Sequence, residues 1–203
     1  MAKILSGSRA AVGRVADPVA RGLLRVGITP DAVTVAGTVG ILVASALAAF
    51  GHFLVATIIA TLSAFTDILD GSMARARGTT SAFGAFLDST MDRVADGAIF
   101  AALAYWAFTN DETGAAVAAL LVLVTSQVIS YVRAKAESLG LTANVGLIER
   151  PERLIGIGVG GLCAGFGWPT GLYIVLWVLG VLSVVTIGQR FVHVHRQTRT
   201  APE

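Results

Sequence analysis

Six apolar runs, most of them close to the length that crosses a bilayer, constrain this chain more than any other feature. About 20 helical residues span ~30 Å of hydrocarbon, and runs of that kind occupy 32–50, 53–73, 82–108, 115–139, 154–166 and 172–192. The fifth is the shortest and the richest in glycine. Backbone groups in lipid have no water to bond, so each run must satisfy its own N–H and C=O groups, which a helix does. The expected fold is therefore all-α: an integral membrane protein with six transmembrane helices. A mean hydropathy of +0.75 and a charged fraction of 14%, against about 25% in soluble domains, agree with it.

Basic residues give an independent test of the count. Lys3, Arg9, Arg14, Arg21 and Arg25 precede the first run; Arg75 and Arg77 follow the second, and Arg93 lies early in the third. Arg133, Lys135, Arg150 and Arg153 flank the fourth-to-fifth connection, and Arg190, Arg196 and Arg199 end the chain. With six spans all 15 fall on one side, while 51–52, 110–114 and 167–171 carry none. The positive-inside rule then predicts a multi-pass protein of the cell membrane with both termini cytoplasmic. Residues 1–30 lack a secretory signal's apolar core and cleavage site. Ile4, Val12, Val15, Val19, Leu23 and Leu24 alternate with charged residues in helical rhythm, which predicts an amphipathic juxtamembrane helix, bent or divided at Pro18, ahead of a membrane domain over 31–203. Asp31 is placed to cap the first span. Cys163 is the single cysteine, so no disulfide forms within the chain. A net charge of +2 is too small to indicate nucleic acid.

Carboxylates inside such runs are costly to bury and default to function. Asp67 and Asp70 are three apart, Asp88 and Asp92 four apart, so on helices each pair projects from one face. Two such helices facing each other would converge four carboxylates, enough oxygen for two Mg²⁺ or Mn²⁺ ions. His52, His193 and His195 lie elsewhere, which argues against zinc. Gly71 and Gly84 remove side chains beside the carboxylates, leaving room for a phosphate or for close helix approach. Arg75 suits a diphosphate, and Ser81 can cap the third span where anions are favoured. A lone Asp-x-x-Asp is more often structural; four aspartates at this spacing with these glycines are not. Asp96, one turn beyond Asp92, reads as a supporting residue paired with Arg93 or Gln127.

The pattern Asp-x2-Asp-Gly-x2-Ala-Arg-x8-Gly-x3-Asp-x3-Asp, complete from Asp67 to Asp92, resembles the signature of the CDP-alcohol phosphotransferases, and Pro30-Asp31-x2-Thr34 is similar to the segment that family places before its first span. The resemblance implies an enzyme that binds a CDP-linked lipid or alcohol with two metal ions and transfers a phosphoryl group to a hydroxyl, releasing CMP. It implies metal ligation by Asp67, Asp70, Asp88 and Asp92, with Asp92 also accepting the proton. It places Asp31, Thr34, Gly71, Arg75 and Ser81 against CDP-diacylglycerol, and it implies a homodimer.

Family members differ in the acceptor. The run from Gly84 to Gly97 is similar to the actinobacterial branch whose acceptor is L-myo-inositol 1-phosphate. Arg133, Lys135, Arg153 and Arg196 lie at the cytoplasmic ends of the fourth, fifth and sixth spans, where they can meet around one phosphate. As terminal basic residues they also suit headgroup anchoring, the reading favoured for Arg190, Arg196 and the N-terminal arginines. Tyr131 reads as core. Glycerol 3-phosphate or free inositol are the alternative acceptors, giving a phosphatidylglycerophosphate synthase or a phosphatidylinositol synthase. An alternative of another class is a Mg²⁺ channel or transporter, which would place its carboxylates near the midplane.

Overall fold

A computed structural model describes residues 17–77 and 81–200. Among them all regular structure is helical: α1 covers 17–25, followed by α2 Pro30–Ala49, α3 Phe53–Arg77, α4 Ala82–Thr109, α5 Thr113–Ser138, α6 Arg150–Gly165 and α7 Pro169–Thr200. Each apolar run became a helix. Four of these, α2, α3, α5 and α7, are long and apolar enough to cross a membrane. The other two expected spans differ from them for physical reasons. α4 carries Asp88, Asp92, Arg93 and Asp96 in one stretch, and α6 has 16 residues, about 24 Å at 1.5 Å per residue. The expected amphipathic helix is described from residue 17 onward; its earlier part, with Lys3, Arg9 and Arg14, lies outside the described residues.

Local chemistry sets the helix ends. The Ala32 N–H donates to Thr29 Oγ1 at 3.2 Å, so Thr29 caps α2 and Pro30 takes the first helical position, where its missing N–H costs nothing. Asp31, the expected cap, sits inside the first turn instead. Ser81 does cap α4, accepting the Gly84 N–H at 2.8 Å. At α6 the Glu149 N–H donates to the Glu152 carboxylate at 2.9 Å beside Pro151.

The chain divides into two compact units. The first comprises the described residues of Met1–Val43 together with Ile58–Ala95. Its apolar core joins Ala20, Val33 and Met73, with Leu23, Leu24 and Leu69 packed against them. Gly37 and Gly40 on α2 lie against Thr66 and Ser63 of α3, where a Cβ would collide with either hydroxyl. That small-residue contact lets the two backbones approach closely.

The second unit comprises Ala44–Thr57 and the described residues of Asp96–Glu203. Phe53, Phe100, Leu103, Val122, Leu172, Leu176 and Leu179 form its core, and α7 packs on α5 and α6. The connection from α5 to α6 is strapped to the end of α7. Ile148 N–H donates to Thr186 Oγ1 at 3.2 Å, and the Gln197 amide brackets Thr142, donating to its carbonyl at 2.6 Å and accepting its N–H at 3.0 Å. Arg190, which the sequence suggested as a headgroup anchor, is 2% exposed and donates to the carbonyls of Val145 at 2.9 Å and Ile129 at 2.8 Å. Its charge holds backbone. Tyr131, expected in the core, is exposed.

Candidate active site

A cleft of about 330 Å³ in the first unit gathers Thr29, Pro30, Asp31, Thr34, Asp70, Gly71, Ala74, Arg77, Ser81, Gly84, Ala85 and Asp88. Three segments far apart in sequence build it: the start of α2, the last two turns of α3 and the start of α4. Two of the four motif aspartates line it, and so do four of the five residues expected to touch the nucleotide, Asp31, Thr34, Gly71 and Ser81.

Asp70 is 7% exposed. Thr34 Oγ1 lies 2.6 Å from Asp70 Oδ2 and 3.2 Å from the Pro30 carbonyl. A hydroxyl has one proton, and the shorter contact to the charged acceptor takes it. Thr34, expected as a nucleotide contact, therefore orients an aspartate from across 36 residues. Asp88 and Asp67 are near enough for their charges to act on Asp70. Three carboxylates thus share one electrostatic neighbourhood, and Asp31 adds a fourth at its edge. A Cβ on Gly84 would stand 3.0 Å from Ser81 Oγ and 3.4 Å from Asp31 Oδ1. The bare glycine leaves the α4 N-terminus, with its outward N–H groups, open to an anion.

Not every expected residue faces this cleft. Asp67 and Asp92 are absent from its lining, and Asp92 lies 3.7 Å from Arg93 in an ion pair. Arg75 turns to Ser72, donating to its Oγ at 3.0 Å, while Arg77 lines the cleft. Helical phase accounts for the difference. Arg75 follows Asp70 by five residues, about 140° around the helix, whereas Arg77 follows by seven, which returns to within about 20° of the same face. That spacing could have identified Arg77 from the sequence.

Among the described residues no three His, Cys, Asp or Glu side chains are gathered tightly enough to form a ready cation cage. The donor set nevertheless fits Mg²⁺ or Mn²⁺. It is all oxygen and anionic, its members act on one another's charge, and Asp70 is buried and held by a hydroxyl as metal-ligating carboxylates are.

In the second unit the four residues expected to hold the acceptor phosphate separate into different environments. Arg153 is 2% exposed and its Nη2 donates to Asp96 Oδ2 at 2.8 Å. Arg133 is exposed and pairs with Glu137 at 2.9 Å, and Lys135 is exposed. Arg196 lines a cavity of about 550 Å³ with Val145, Gly146, Gln189 and His193. Arg190 lies within reach of the charges of Glu149, Arg133, Arg153 and Glu137 and 3.7 Å from the Glu149 carboxylate, so acidic and basic groups interleave at this end of α5, α6 and α7. Sequence reading missed Arg190, whose position at the end of an apolar helix looks like that of any anchoring arginine. Asp96, expected to pair with Arg93 or Gln127, has its carboxylate taken up by Arg153 and, at 3.5 Å, by Arg150.

Comparison with known proteins gives a consistent picture. The family described as CDP-alcohol phosphatidyltransferase matches residues 27–194. The chain is 50% identical to the phosphatidylinositol phosphate synthase of Mycobacteroides abscessus, over 96% of this chain and 88% of that one. It is 46% identical to the phosphatidylinositol phosphate synthase of Streptomyces avermitilis, over 96% and 83%. Among solved structures, the Mycobacterium tuberculosis phosphatidylinositol phosphate synthase with CDP-DAG bound superposes with a TM-score of 0.85 at 45% identity, covering 89% of this chain and 94% of that one. The same synthase in complex with manganese and citrate gives 0.85 at 43% identity, covering 89% and 88%.

Proposed function

This chain belongs to the CDP-alcohol phosphatidyltransferase family, and from that premise we propose that it transfers the phosphatidyl group of CDP-diacylglycerol to L-myo-inositol 1-phosphate, giving phosphatidylinositol phosphate and CMP. The observation that carries the reading is the cleft where Asp31, Asp70, Gly84 and Asp88 meet, in a chain 45% identical to a synthase whose structure holds CDP-DAG. Membership of a transferase family favours this chemistry over a Mg²⁺ channel or transporter.

The cofactor is Mg²⁺ or Mn²⁺. Asp67, Asp70, Asp88 and Asp92 would hold two ions, which supply charge neutralisation of the diphosphate and make CMP a tolerable leaving group. Thr34 fixes Asp70 for that task. The open backbone at Gly84, with Ser81 capping the helix, receives phosphate oxygens, and Arg77 adds a cation at the cleft wall. The acceptor's hydroxyl oxygen attacks the β-phosphorus in line, the bond from that phosphorus to the oxygen it shares with the α-phosphorus breaks, and Asp92 takes the hydroxyl proton. Arg133, Lys135, Arg153 and Arg196 are assigned to the acceptor's phosphate. The distribution of basic residues supports six spans with the site and both termini cytoplasmic in the cell membrane. The family resemblance supports a homodimer.

Replacing Asp67, Asp70, Asp88 or Asp92 by Asn, one at a time, tests the assignment. Each should abolish CMP release from CDP-diacylglycerol while the protein stays folded in detergent, and near-normal turnover in any two would overturn it.

A further inference from the structure

Asp96 is buried to the same degree as its partner, 2% exposed against 2% for Arg153, and the reaction as described makes no use of it. Its carboxylate engages one nitrogen of the Arg153 guanidinium, Nη2, at 2.8 Å. The other two, Nε and Nη1, are buried without a hydrogen-bond partner among the described residues. An arginine that only needed its charge neutralised would be expected to satisfy its planar fork more fully, because buried N–H groups are rarely left unpaired. Here one carboxylate grips one corner, and two donor nitrogens are left for something else. Arg190 feels the charges of Arg133 and Arg153 as well as those of Glu149 and Glu137, and Arg150 stands 3.5 Å from Asp96, so most of the neighbouring guanidiniums are already met by carboxylates and the two open nitrogens of Arg153 are the donors left over. A phosphate monoester, with several acceptor oxygens, matches those donors.

We propose that Asp96 is a positioning residue for acceptor recognition: by holding Nη2 of Arg153 it aims Nε and Nη1 at the acceptor's phosphate. This rests on the reading that the acceptor is phosphorylated. Asp96 then contributes to specificity as well as affinity, since a site whose cations are set for a phosphate leaves them uncompensated when the phosphate is missing.

The test uses the full chain in lipid nanodiscs, with CMP release measured against varied inositol 1-phosphate and, separately, varied CDP-diacylglycerol. Asp96→Ala should raise the KM for inositol 1-phosphate about 10- to 100-fold and lower the preference for inositol 1-phosphate over inositol, with the KM for CDP-diacylglycerol within twofold of wild type. Asp96→Asn, which keeps one oxygen acceptor and the volume, should fall between them and carries the test if the alanine variant does not fold. Asp96→Ala combined with Arg153→Ala should be no worse than Arg153→Ala alone, because the first acts through the second. Additive losses, equal shifts in both KM values, or a loss of kcat at unchanged acceptor KM would each overturn the proposal, leaving a purely structural ion pair. Wild-type turnover of inositol 1-phosphate, measured first, tests the acceptor reading by itself. With glycerol 3-phosphate as acceptor the same KM comparison applies, since the phosphate is shared, whereas turnover of free inositol alone overturns both.

Discussion

Thr34→Val removes one hydroxyl from the candidate active site and little else. That hydroxyl sits 2.6 Å from Asp70 Oδ2, inside the 2.5–2.7 Å range of charge-assisted O–H···O⁻ bonds. Asp70 is buried, so water does not readily replace the donor. A hydrogen bond to a charged group contributes about 1.5–3 kcal/mol, or roughly 10- to 150-fold in an equilibrium constant. Loss of a hydrogen bond that orients a metal ligand costs about 10- to 100-fold in metal affinity. The expected result is therefore a 10- to 100-fold rise in the Mn²⁺ concentration giving half-maximal CMP release, with a matching loss of tightly bound Mn²⁺ by electron paramagnetic resonance. The KM for CDP-diacylglycerol at saturating Mn²⁺ should change much less. An unchanged Mn²⁺ requirement with a raised KM for CDP-diacylglycerol would refute the reasoning and make Thr34 a direct nucleotide contact.

Two glycines give contrasting predictions. Gly84→Ala places a methyl 3.0 Å from Ser81 Oγ and 3.4 Å from Asp31 Oδ1, so it should raise the KM for CDP-diacylglycerol with little change in melting temperature; an unaltered KM would show that phosphate does not approach this backbone. Gly165→Ala drives a methyl to 2.9 Å from the Leu54 backbone N and Cα, which a side-chain rotation does not relieve. It should destabilise the protein by about 1–3 kcal/mol, lowering the melting temperature while the activity of the folded fraction is retained.

The helices were legible because a lipid-spanning segment advertises itself through length and hydropathy alone, and α2 through α7 begin and end within a few residues of the apolar runs, α7's longer C-terminal extension and the start of α6 excepted. Helix starts were less so. Thr29 and Asp31 are both good caps, and the choice between them depends on which residue leaves helical geometry, a backbone property that composition does not carry. The aspartate motif was legible as chemistry because its members are close in sequence. The supporting contacts were not: Thr34 reaches Asp70 across 36 residues and Arg153 reaches Asp96 across 57, and such pairings are settled by packing. Arg75 and Arg77 show an intermediate case, where helical phase separates two arginines that composition treats alike.

The most direct test of the central claim is CMP release by the purified chain with CDP-diacylglycerol and Mg²⁺, measured in parallel with inositol 1-phosphate, inositol, glycerol 3-phosphate and serine. The structure and the family predict fastest turnover with inositol 1-phosphate and loss of release in all four when the metal is chelated. Equal or faster turnover with glycerol 3-phosphate would contradict the acceptor assignment, and metal-independent release would contradict the carboxylate site itself.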